Sequence, residues 1–72
     1  LFFMDKRFDE IVAYLEKRFD VKINVADRAL AERRFIASFV NGESLDEMLA
    51  SFNADEEMRI RREGRIVNIT KR

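Results

Sequence analysis

The side chains that most often carry out chemistry are sparse in this sequence of 72 residues, which contains no histidine and no cysteine. Their absence removes the commonest general base and the commonest zinc ligands. Adjacent carboxylates at Asp9–Glu10 and Glu56–Glu57 could act as an acid and a base if a pocket separated their pKa values. Successive helical side chains do not face each other, however, so Asp9 and Glu10 do not converge on one site. We interpret them as solvated surface groups.

The remaining candidate groups lack the partners that catalysis requires. Ser38, Ser44 and Ser51 have no histidine to act as a base, and no Gly-x-Ser-x-Gly elbow is present. Lys22 and Lys71 would need burial to become nucleophiles, and no pattern predicts it. No D-x-D-x-D-G loop offers calcium ligands. The sequence therefore predicts no enzyme, no metal, no cofactor and no small-molecule substrate.

Charge argues against a nucleic-acid partner. The 14 Lys and Arg residues balance 14 Asp and Glu residues, whereas nucleic-acid-binding domains usually carry a net positive charge. The segment "RIRREGR" does concentrate Arg59, Arg61, Arg62 and Arg65, which could bind phosphate. Because acidic residues are interleaved with them, we interpret this segment as a hairpin whose charges form cross-strand pairs and discourage aggregation.

Hydrophobic periodicity indicates the elements in the first half of the chain. Leu1–Met4 is expected to be a buried strand, and Asp5 to cap the helix that follows. The apolar stripe of that helix recurs at helical spacing: Phe8, Ile11, Val12, Leu15 and Phe19. The period then changes to two in Val21–Val25, which predicts a half-buried strand. A polar connector with one helical turn around Leu30 leads to a third strand.

The third strand and the second half of the chain show the same two periods. In the third strand Phe35, Ala37 and Phe39 are expected to point inward, and Arg34, Ile36 and Ser38 outward. Ser44 and Glu47 have the spacing of a capping box. The buried stripe of the second helix is Leu45, Met48, Leu49 and Phe52. Glu63–Gly64 is the predicted turn of a closing hairpin, with Val67 and Ile69 inward and Ile66, Asn68 and Thr70 outward.

The element order β-α-β-β-α-β-β predicts a small α+β domain that occupies residues 1–72. Its two helices are expected to pack together against two small sheets. The residues expected to form the helix contact are Phe8, Ile11, Leu15, Leu45, Leu49 and Phe52. Because the chain starts at Leu1 without an initiator methionine, we expect it to be a domain excised from a longer protein.

Three stretches together resemble the C-terminal domain of FecR-type anti-sigma regulators of the Bacteroidetes type. They are "RFDEIVAYLEKRFDVKINVADRAL", "RRFIASFVNGESLDEMLASF" and "MRIRREGRIVNIT". The positions that match the family pattern are Phe8, Ile11, Leu15, Phe19, Asp20, Val21, Ile23, Phe35, Phe39, Ser44, Leu45, Leu49, Ile60 and Ile69. Ile36 departs from it, because the family often has threonine there. The fold of the family is similar to that of the secretin and TonB short N-terminal domain.

The resemblance implies a periplasmic domain of a single-pass inner-membrane anti-sigma regulator. Such a domain senses the signalling domain of a TonB-dependent outer-membrane transporter. The regulator would hold an extracytoplasmic-function sigma factor through an N-terminal region that this sequence does not contain. An alternative is the signalling domain of the transporter or secretin itself. That domain typically has a Gly-Thr-Gly-Leu-like turn where this sequence has "NADEEM", which favours the anti-sigma side.

A partner of such a domain is expected to bind the strands. Small sheets leave edges with unpaired backbone groups, to which a partner can add a strand. The outward residues of the third strand and of the closing hairpin are the predicted protein interface: Arg34, Ile36, Ser38, Ile66, Asn68 and Thr70. Outward isoleucines would anchor the contact, and nearby arginines would orient it.

Overall fold

Five strands and three helices make up residues 1–72 in a computed structural model of the chain. In chain order they are β1 (Phe2–Arg7), α1 (Phe8–Phe19), β2 (Lys22–Val25), α2 (Arg28–Glu32), β3 (Arg34–Ser38), α3 (Leu45–Phe52), β4 (Met58–Glu63) and β5 (Ile66–Lys71). The predicted α+β class and the order of strands and long helices are confirmed. The helical turn expected around Leu30 is α2, capped by the Asp27 carboxylate, which accepts a hydrogen bond from the Leu30 N–H at 2.9 Å.

The strands form two separate sheets. β1 and β3 make an antiparallel pair, and β2, β5 and β4 make a three-stranded sheet in that spatial order. Within the larger sheet β5 is central, parallel to β2 and antiparallel to β4. β4 and β5 form a local hairpin, whereas the parallel pairing of β2 with β5 joins the first half of the chain to the second.

Phenylalanine rings join the two halves at the centre of the core. The Phe52 ring of α3 lies 5.8 Å from that of Phe8 in α1 and 5.1 Å from that of Phe35 in β3. The six residues predicted to form the helix contact are all buried, as is every other member of the fifteen-residue apolar core. Phe19 and Phe35 are only partly buried. No polar or charged residue is buried, so apolar burial and ring packing hold the domain together.

The start of α1 differs from the prediction. Asp5 does not cap it: Asp5 has a φ of 51° and lies where the β1–β3 register shifts between Phe3 and Lys6. Such a bulge lengthens β1, so that α1 begins at Phe8 with Arg7 in the capping position. The Glu10 carboxylate accepts a hydrogen bond from the Arg7 N–H at 3.2 Å.

The predicted burial of Leu1–Met4 holds for Phe3 and is wrong for Phe2 and Met4, which are exposed. A strand in a sheet with one covered face buries only alternate side chains.

By contrast, the capping box of α3 is confirmed. The Ser44 hydroxyl accepts from the Glu47 N–H at 3.1 Å, and the Glu47 carboxylate accepts from the Ser44 N–H at 2.8 Å.

The closing hairpin turns one residue later than predicted. Glu63 pairs with Ile66, so the two-residue loop is Gly64–Arg65 rather than Glu63–Gly64. Gly64 has a φ of 60° and Arg65 does not have a positive φ. Glycine with positive φ at the first loop position is the pattern of a type II′ turn.

Candidate protein-interaction surfaces

The charged side chains do not gather into a reactive cluster. No group of three or more histidine, cysteine, aspartate or glutamate residues could hold a metal ion. Asp9 is bound by the Arg7 guanidinium at 2.8 Å, and this hydrogen bond lowers the pKa of the Asp9 carboxyl. A hydrogen bond from Arg33 lowers the pKa of Asp55 in the same way. Both perturbations come from exposed ion pairs, so they indicate surface structure rather than an acid–base pair.

The outward residues predicted on β3 are exposed, and they belong to a larger apolar surface. Ile36 is 69% exposed, and the register places Phe2 of β1 beside Ser38 on the same side of the sheet. Alternation from buried Phe3 directs Met4 to that side as well. We define the apolar face as Phe2 (59% exposed), Met4 (55%), Ile36 (69%) and Val40 (78%). The first three lie on the small sheet, and Val40 follows two residues after the end of β3. Large exposed apolar side chains grouped in this way are typical of a contact surface.

The sequence predicted Ile36 as an outward residue but did not indicate Phe2, Met4 or Val40. The run Leu1–Met4 is apolar at every position, and nothing local indicates which side of it is covered. Only the pairing of β1 with β3 shows that Phe2 and Met4 share a face with Ile36.

The outer edge of β3 is open to a further strand. Leu1 and Phe39 exchange both backbone hydrogen bonds, at 2.9 and 2.8 Å. Because an antiparallel ladder alternates, the backbone groups of Ile36 and Ser38 point away from β1. The Arg34 guanidinium crosses back to the β1 bulge, where it donates to the Asp5 carbonyl at 2.8 Å. The predicted β3 residues therefore combine an apolar face, an open edge and an oriented arginine.

The outward residues predicted on β5 are exposed too, but their strand has no free edge. β5 lies between β2 and β4, so Ile66, Asn68 and Thr70 can meet a partner only through the face of the sheet. On that face the Asn24 side-chain amide donates to the side-chain oxygen Oδ1 of Asn68 at 3.0 Å. The free edge of the closing hairpin belongs to β4. The six predicted interface residues thus lie in two different sheets.

Residues 1–69 match a family model described as "FecR, C-terminal". The chain belongs to the FecR C-terminal family. The predicted resemblance is confirmed, and it covers nearly the whole chain. No curated protein matches the sequence.

A solved structure has the same fold as this FecR C-terminal domain. It is a crystal structure of a protein proposed to be an anti-sigma factor from Parabacteroides distasonis, with a TM-score of 0.85 and 18% sequence identity. The match covers 100% of this chain and 34% of that chain. The domain thus spans about a third of the length of that protein. None of its three helices has the length and apolar composition needed to cross a bilayer.

Proposed function

We propose that this domain is the periplasmic sensor of an inner-membrane anti-sigma regulator. It binds the signalling domain of a TonB-dependent outer-membrane transporter, and this contact controls an extracytoplasmic-function sigma factor bound elsewhere on the same regulator. Membership of the FecR C-terminal family over residues 1–69 is the observation that carries the proposal. The shared fold with a protein proposed to be an anti-sigma factor supports it.

The product of such a domain is a protein contact rather than a chemical reaction. The inventory of side chains agrees with this role: there is no histidine or cysteine, and six arginines are engaged in ion pairs with carboxylates. A sensor needs a stable scaffold and an exposed recognition surface. The ring cluster around Phe52 supplies the first, and the apolar face supplies the second.

We place the main contact on the apolar face and the adjoining edge of β3. Ile36 lies at its centre, Arg34 and Ser38 flank it, and Phe2 extends it across the sheet. Apolar area buried there would supply most of the affinity, at roughly 25 cal/mol per Å² before the costs of association. Arg34 would set orientation and association rate. Ile66, Asn68 and Thr70 would contribute through the exposed face of the larger sheet.

A cell-based signalling assay tests the proposal. The parent regulator carrying Ile36→Asp is expected to remain at wild-type abundance and to lose induction of a sigma-dependent reporter when the transporter's substrate is supplied. Ala29→Asp, an equal change of charge at an exposed position of α2, is the matched control and should keep induction. Normal induction by the Ile36→Asp regulator would contradict the placement of the contact.

A further inference from the structure

The larger sheet is basic although the chain as a whole is neutral. Its three strands carry five cationic side chains and one carboxylate, against a formal net charge of +0 for all 72 residues. The cations are Lys22, Arg59, Arg61, Arg62 and Lys71, and the carboxylate is Glu63. Positive charge is therefore concentrated on the larger sheet.

Three of these cations share the exposed side of the sheet and have no acidic partner. Arg59 pairs with Thr70, Arg61 with Asn68, and Lys22 with Ile66, so register places all of them on the side opposite buried Val67 and Ile69. None of the three takes part in an ion pair, whereas Arg62 is bound to Asp46 and Arg65 to Asp20. We define the basic face as the exposed residues Lys22, Asn24, Arg59, Arg61, Glu63, Ile66, Asn68 and Thr70.

The free edge of β4 borders this basic face and remains open at two residues. At Met58 the edge is closed, because the Asn53 side chain donates to its C=O and accepts from its N–H, both at 2.9 Å. The hydrogen bond from Arg72 N–H to Glu57 C=O fixes the alternation of the ladder. The backbone groups of Ile60 and Arg62 therefore point outward from the sheet.

The opposite edge of the same sheet is less accessible. On β2, the Ile23 N–H donates to the Glu16 carboxylate of α1 at 2.8 Å, so a side chain already occupies that position. A partner that extends this sheet by hydrogen bonding has β4 as its available strand.

A groove lies on the other side of the β4 edge. It has a volume of about 440 Å³ and lies between α3 and β4, lined by Asp46, Leu49, Ala50, Asn53, Ile60 and Arg62. An added strand would direct alternate side chains to the two sides of the sheet. One set would lie over Leu49, Ala50 and Ile60, and the other would lie beside Arg59 and Arg61 at cross-strand distance.

We propose that the free edge of β4 binds an extended protein segment in which acidic residues alternate with apolar residues. The carboxylates of the segment pair with Arg59 and Arg61, and its apolar side chains enter the groove against α3. Its backbone forms hydrogen bonds with the backbone groups of Ile60 and Arg62. A bilayer fits this surface less well, because Ile66 is its only large apolar side chain and Glu63 would face the anionic headgroups. The edge of β4 is separate from the apolar face, so the two binding tests can fail independently.

The probe is an acetylated eight-residue peptide of alternating Glu and Val, titrated into the isotope-labelled domain. Saturable binding is expected, with the amide signals of Ile60 and Arg62 shifting most. A peptide of the same composition with its glutamates in one block should bind at least tenfold more weakly, and so should a Lys–Val peptide. Equal binding of all three peptides, absence of binding, or shifts confined to other strands would overturn the proposal.

Substitutions at Arg61 test the contribution of its charge separately from that of the backbone edge of β4. Arg61→Glu should weaken peptide binding roughly tenfold, because a favourable cross-strand pair becomes a repulsive one. Arg28→Glu makes the same change at an exposed residue of α2 that has no ion pair, and it should leave binding unaltered. Arg61→Gln keeps the test valid if the charge reversal perturbs folding, and a smaller loss is expected. The proposal would be refuted if both Arg61→Gln and Arg61→Glu bound the peptide as tightly as wild type does. It would also be refuted if the domain bound phosphatidylglycerol vesicles and not the peptide.

Discussion

The Asn53 side chain forms both backbone hydrogen bonds of Met58, as a neighbouring strand would: Nδ2 donates to the Met58 carbonyl and Oδ1 accepts from its N–H, each at 2.9 Å. This contact joins the end of α3 to the start of β4 and closes the first position of an otherwise free edge. Met58 is almost fully buried, so its backbone groups have limited access to water.

Removing this amide should destabilise the domain. We expect Asn53→Ala to lower the free energy of unfolding by about 1–3 kcal/mol, since two partly buried backbone groups lose their partners. Urea denaturation measures the change. Asn41→Ala removes an exposed amide that forms no side-chain hydrogen bond and should change stability by less than about 0.5 kcal/mol. Equal effects of the two substitutions would show that the Met58 contact contributes little.

A second prediction concerns the packing of α3 in the core. Leu49 is 2% exposed and lies on the buried stripe of α3. Leu49→Ala should cost about 2–5 kcal/mol, because it removes buried methyl groups and leaves a cavity. Met4→Ala shortens an exposed side chain and serves as the control. A denaturation midpoint unchanged by Leu49→Ala would show that α3 is not packed at this residue.

The turn at Gly64 can be tested in the same way. With a φ of 60° and nothing within 4 Å of an added Cβ, Gly64→Ala is limited by backbone conformation rather than by space. We expect a loss of about 1–2 kcal/mol in the free energy of unfolding. If the turn were Glu63–Gly64, Glu63 would be a loop residue rather than the partner of Ile66. Nuclear Overhauser contacts between the strands distinguish the two registers.

The Arg33–Asp55 ion pair predicts a pH dependence. Arg33 lowers the pKa of Asp55 in the folded state, so the folded domain binds this proton less readily than the unfolded chain does. The stabilisation is present above the unfolded pKa of about 3.9 and is lost as the pH falls through the folded pKa. Wild type should therefore exceed Asp55→Asn in stability at pH 7, and the difference should shrink at pH 2. A difference that grows on acidification would contradict the ion pair.

Local patterns predicted the helices well, because the apolar stripe and the capping residues of a helix lie within a few residues of one another. The stripe of α3 and the Ser44–Glu47 capping box are both present as expected. The same holds for the alternation of β3, where Phe35 and Ile36 point to opposite sides. In these segments the side that is buried follows from sequence spacing alone.

Features that depend on strand pairing could not be predicted from spacing. The bulge at Asp5 is a feature of the pairing between β1 and β3, which no local spacing within either strand indicates. The central place of β5 follows from its parallel pairing with β2, and it removes the free edge expected beside Asn68. The exposure of Phe2 likewise depends on which side of the small sheet the helices cover. The candidate contact surface was therefore only partly predictable, through Ile36 and its strand neighbours.

Isothermal titration of the purified domain with the signalling domain of its cognate transporter tests the central claim most directly. Wild type should bind, and Ile36→Asp should weaken binding at least tenfold while its circular dichroism and denaturation midpoint stay unchanged. Ile66→Asp should weaken it as well, and Ala29→Asp should bind like wild type. Wild-type affinity in both isoleucine variants would contradict the account, because recognition would then lie on the helices or loops.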